Sequence, residues 1–78
     1  LYPNPAGDFL YLNHGDADLE KIVVRIADIQ GHVIMVRNFE RLSAGEITEI
    51  NVSRLPVGQF LFNITDGSDS RTFQFIKY

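Results

Sequence analysis

Catalysis near neutral pH needs a base, a nucleophile with a partner, or acids converging on a pocket. In this 78-residue sequence only His14 and His32 are ordinary near-neutral bases. His14 lies in a polar run and His32 directly follows Gly31, so both read as solvent-exposed turn residues. No G-x-S-x-G, H-E-x-x-H or phosphate-loop pattern occurs. The run His14-Gly15-Asp16-Ala17-Asp18-Leu19-Glu20 gathers carboxylates of the kind a hard cation takes from one loop. The full calcium-loop pattern is missing, however, and this run reads as a solvated loop, while Asp66-Gly67-Ser68-Asp69 is explained as a second hairpin turn. Asn51-Val52-Ser53 and Asn63-Ile64-Thr65 match the glycosylation acceptor pattern. Both fall in or at the end of predicted strands and are read as unmodified. Tyr2, Tyr11 and Tyr78 are the candidates for stacking on a sugar, but scattered tyrosines make a poor platform. The expectation is a non-enzyme without metal or cofactor.

Composition narrows the class. The chain has no cysteine, a net charge of −3 and 45% apolar residues. That suits one packed domain and not a disordered tail. Stability on per-residue averages is roughly 4 to 12 kcal/mol, held by apolar packing without disulfides. The scattered basic residues Lys21, Arg25, Arg37, Arg41, Arg54, Arg71 and Lys77 form no phosphate-binding cluster, which excludes nucleic acid. No apolar run approaches the ~18–20 residues of a membrane span, so no membrane insertion is expected. The sequence opens on Leu1 rather than Met, which suggests a piece cut from a longer precursor.

The elements that must carry any site are short strands between turn signals. Residues 1–7 read as a linker end that docks on the domain, because Pro3 and Pro5 exclude regular structure. Residues 8–78 form the domain. Asp8 to Asn13 is the first strand, with Phe9 and Tyr11 on one face and Leu10 and Leu12 on the other. Both faces being apolar implies that one contacts more than the sandwich core. A polar loop runs from Asn13 to Leu19. Lys21 to Asp28 then alternates, with Ile22, Val24 and Ile26 inward.

Asp28-Ile29-Gln30-Gly31 is the clearest turn. The aspartate bonds its own backbone, and Gly31 takes the positive φ of a three-residue hairpin loop. Val33 to Phe39 returns, and Glu40 to Gly45 reads as a connector. Glu46 to Val52 follows, with Ile50 and Val52 inward. Leu55-Pro56-Val57-Gly58 turns a tight corner into Gln59 to Thr65, where Phe60, Phe62 and Ile64 share a face. Ser70 to Tyr78 is the last strand, with Phe73 and Phe75 on one face as its core anchors. The sum is an all-β fold, a small Ig-like antiparallel β-sandwich of six to seven strands.

The order of the turn motifs carries a resemblance. Tyr2-Pro3-Asn4-Pro5, Val24-Arg25-Ile26-Ala27-Asp28-Ile29-Gln30-Gly31, Ile50 to Phe60 (INVSRLPVGQF) and Phe73-Gln74-Phe75-Ile76-Lys77 follow one another over nearly the whole chain. This pattern resembles the type A C-terminal sorting domain of the type IX (Por) secretion system. Departures are few. Ala27 and Phe60 stand where that family has aromatics, a tyrosine in the second case, and Asn51 stands where it often has aspartate.

The resemblance implies a secretion signal. The precursor would reach the periplasm by a separate N-terminal signal and be carried by its C-terminal domain through an outer-membrane translocon. A surface sortase-like protease would then remove the domain, with the cleavage site before Leu1. The implied partners are the translocon and its shuttle proteins, that protease, and an N-terminal cargo in cis. The family motif implies Gly58, Phe60, Phe75, Lys77 and Tyr78 as recognition residues, and Asp28, Gly31, Pro56 and Gly58 as turn formers. Lys77 is expected to hold its ammonium in water at the domain surface. The alternative is an Ig-like adhesion or carbohydrate-binding module of a secreted protein.

Overall fold

Period-two apolar faces build β2 and β5, the central strands of the computed structural model, which describes residues 1–3, 6–13 and 15–78. The strands are β1 (Phe9–Asn13), β2 (Leu19–Asp28), β3 (Val33–Leu42), β4 (Ile47–Asn51), β5 (Gly58–Thr65) and β6 (Ser70–Lys77). Among the described residues there is no helix. One sheet has the order β3-β2-β5-β6 and the other pairs β1 with β4, all antiparallel. The expected all-β sandwich is the observed one, with six strands.

The core lies between the sheets. Ile22, Val24 and Ile26 of β2 and Phe60, Phe62 and Ile64 of β5 face Leu10, Leu12, Ile50 and Val52 across it, and all are buried. Leu10 and Leu12 point inward, which leaves Phe9 and Tyr11 on the outer face of the two-stranded sheet. There the Tyr11 ring meets Tyr2 at 5.6 Å between centroids. Two of the three tyrosines expected to be scattered are therefore neighbours, brought together by strand pairing that sequence distance hides.

Two expectations are corrected. Glu40, Arg41 and Leu42 belong to β3 rather than to a connector, because β2 begins early, at Leu19, and the two strands stay paired to their ends. Leu19 lies opposite Leu42 and Glu20 opposite Arg41, so polar residues disguise this stretch while Leu42 enters the core. Phe73 is not a core anchor. It is 37% exposed, because the two-stranded sheet is too narrow to cover all of the four-stranded one. Its ring still lies against Phe62, at 6.5 Å.

The β2–β3 hairpin closes as its residue types require. Gly31 N–H donates to the Asp28 carbonyl and Asp28 N–H to the His32 carbonyl, each at 3.0 Å, and Gly31 has φ +94°. Pairing then slips by one residue between Ile26 and Ala27, which face Met35 and Val33, so Ile34 is an extra residue in a β-bulge.

The N-terminal segment ties the two sheets together. Tyr2 pairs antiparallel with Tyr11 at the β1 edge, and Ala6 pairs parallel with Lys77 at the β6 edge. Ala6 is fully buried. This segment closes one side of the sandwich. On the other side, among the described residues, β3 and β4 each keep a free edge.

Candidate functional site

Four of the five residues expected in recognition converge on one corner of the β5–β6 pair. Gly58 lies directly opposite Lys77 and Phe60 opposite Phe75. Paired residues in antiparallel strands project to the same face. The Phe60 and Phe75 rings accordingly stack, at 5.7 Å between centroids and 28° between planes. Both are buried, and phenylalanine at position 60 leaves no hydroxyl to satisfy there.

Lys77 departs from its expected place. It is only 6% exposed rather than a surface cation. The cause is its place in β6: two residues after buried Phe75, its stem turns to the same inward face. Nζ reaches back to donate to the Tyr78 carbonyl at 3.0 Å. Tyr78 is the exposed member of the set, at 68%. Its N–H donates to the Ala6 carbonyl at 3.0 Å, while Ala6 N–H donates to the Ile76 carbonyl at 2.6 Å. Buried residues, Ala6 among them, thus fix one exposed aromatic in place.

The corner before β5 is built from its own sequence. Asn51 Oδ1 accepts from Ser53 N–H at 2.9 Å and from Ser53 Oγ at 2.6 Å, a turn that needs an oxygen acceptor. An amide serves there as well as a carboxylate. Leu55 N–H then donates to the Val52 carbonyl, Leu55 is buried, and Pro56 and Val57 face solvent. Gly58 follows at φ +155°. Asn63, the other acceptor-pattern asparagine, donates from Nδ2 to Ser70 Oγ at 2.9 Å and Thr72 Oγ1 at 3.1 Å, bracing the β5–β6 ladder.

The titratable turn residues serve the turns. Asp28 Oδ1 accepts from Gln30 N–H and His32 N–H, both at 2.9 Å, and Oδ2 lies 3.1 Å from His32 Nδ1. The His32 backbone bond, ahead of the other contacts, lowers the Asp28 pKa below its ordinary 3.8. Asp66 is lowered likewise, first by the Asp69 N–H and then by the Ser68 N–H. Asp18 of the acidic loop accepts from Arg41 Nη2 at 2.9 Å and from Ala44 N–H at 2.7 Å. No group of three metal-ligating side chains occurs among the described residues. His14, Asn4 and Pro5 lie outside them.

Residues 1–78 match the family described as the secretion system C-terminal sorting domain. The chain belongs to this family, whose members are the C-terminal sorting signals of type IX secretion. The family is not a catalytic one, and the adhesion or carbohydrate-binding alternative finds no support. No curated protein and no solved structure matches the chain.

Proposed function

We propose that, within type IX export, the corner formed by Gly58, Phe60, Phe75 and Lys77 mounts Tyr78 for reading by the translocon or its shuttle protein. The supporting observation is that the dispersed motif residues converge on one strand pair, and that of these five residues Tyr78 alone is strongly exposed. A folded label of this kind presents a fixed surface, which lowers the ordering cost of recognition. The cargo lies N-terminal and in cis. A sortase-like protease removes the domain at the cell surface. Residues 1–7 act as the docking segment and 8–78 as the sorting domain proper.

Fusing residues 1–78 to an unrelated periplasmic reporter in a type IX-competent cell tests the reading. Protease-accessible reporter at the surface, with the domain removed, is the expected result. A reporter that stays folded in the periplasm with the domain attached refutes it. Deleting Tyr78 alone should leave a folded domain that no longer sorts.

A further inference from the structure

The two sides of the sandwich are unlike. Tyr2 and Ala6 close the side of β1 and β6, whereas β3 and β4 leave free edges on the other. Between them lies a groove of about 400 Å³. Ile34, Met35 and Leu55 give it an apolar lining, and Arg37 and Arg54 add two cations. No acidic residue lines it. Among the described residues neither arginine has a carboxylate within ion-pair distance, and Arg37 Nη1 donates to the Val36 carbonyl. Two unmatched cations in one groove stand out in a chain of net charge −3.

The β3 edge bordering this groove has the bulge at Ile34 as its one guard over Val33–Val36. Val33-Ile34-Met35-Val36 is a run of apolar residues without proline, with Val33 54%, Ile34 48% and Val36 44% exposed. Natural proteins blunt such edges, because unpaired N–H and C=O groups recruit another strand. We infer that the open side is a docking edge for an acidic, extended polypeptide segment. The segment adds as a strand beside β3 and sets a carboxylate against Arg37 and Arg54.

Both chemistries on the page select that occupant. The free backbone edge demands an extended chain, and the two guanidinium groups lining the groove favour an anion, which a polypeptide supplies as a carboxylate. A second copy of this chain fits badly. In every antiparallel β3–β3 register that pairs more than half of the strand, Arg37 falls opposite or diagonal to Arg37 or Arg41. The inference goes beyond the export reading, since binding at this edge holds whether or not the domain is a sorting signal.

The test uses the 78-residue chain and two labelled peptides of about ten residues, one alternating valine with glutamate and the other valine with lysine. Fluorescence anisotropy measures affinity, and amide hydrogen exchange locates the contact. The glutamate peptide should bind at least about tenfold tighter than the lysine peptide, and it should slow exchange along β3 but not β6. Arg37→Glu with Arg54→Glu should invert the preference. The Arg37→Gln, Arg54→Gln pair should abolish it at an unchanged melting temperature. Equal binding of the two peptides, protection confined to β4 or β6, or no binding of either overturns the inference. So does arginine-dependent binding to phosphatidylglycerol vesicles in place of the peptides.

Discussion

Replacing Lys77 by alanine removes the γ, δ and ε methylenes of a stem that is almost wholly covered. At about 0.8 kcal/mol per buried methylene the loss is about 2.4 kcal/mol. Freeing the lysine from its single rotamer returns up to about 1.5 kcal/mol of this. The Nζ bond to the Tyr78 carbonyl, charge-assisted and part-buried, adds about 1 kcal/mol to the loss. The net expectation is a destabilisation of about 1–2 kcal/mol. Lys77→Met keeps most of the stem and discards only the ammonium, so it should stay within about 0.5 kcal/mol of the parent. Urea denaturation at constant m-value separates the two. An alanine variant within about 0.5 kcal/mol of the parent, as for ordinary surface substitutions, would refute the burial of the Lys77 stem. In cells, Lys77→Met should sort like the parent, because the charge is not displayed. A folded Lys77→Met domain held in the periplasm would show that the ammonium itself is read.

Phe62→Ala should cost about 3–5 kcal/mol, since the ring is completely buried at the centre of the core; an unchanged melting temperature would contradict its placement. Gly31→Val should cost about 1–2 kcal/mol through its backbone alone, because φ is +94° while nothing within 4 Å meets the added Cβ. On the acid side, the lowered pKa values of Asp28 and Asp66 give stability that is fully present above pH 3.8 and lost as pH falls through the folded-state values. Asp28→Asn should therefore flatten part of the decline in melting temperature below pH 3.8. An identical acid profile for mutant and parent would sever that link.

Local chemistry was readable where it acted locally. The period of two in Ile22, Val24 and Ile26, and in Phe60, Phe62 and Ile64, matched the buried faces, since a sheet with one covered face imposes that alternation. Asp28 and Gly31 announced their turn because both act within a few residues. What escaped depends on partners far along the chain. Lys77 shares the inward face of Phe75 and is paired with Ala6 from the other end of the chain, while its charge argues for the surface. Leu19 and Leu42 extend their strands because each finds the other, behind glutamate and arginine. Phe73 stays half open because the covering sheet has only two strands, a property of the assembly and of no single segment. The sorting role was legible through the ordered motifs, while the open edge with Arg37 and Arg54 carried no sequence signature.

The parallel contact of Ala6 with β6 also has a mechanical meaning. Tension applied between the two ends of the chain pulls Ala6 and Lys77 in opposite directions along neighbouring parallel strands. The Ala6–Ile76 and Tyr78–Ala6 hydrogen bonds are then loaded together in shear instead of peeling open one after the other. Drag on an attached cargo is thus taken up at the rim of the molecule, and the core strands β2 and β5 stay outside the line of force.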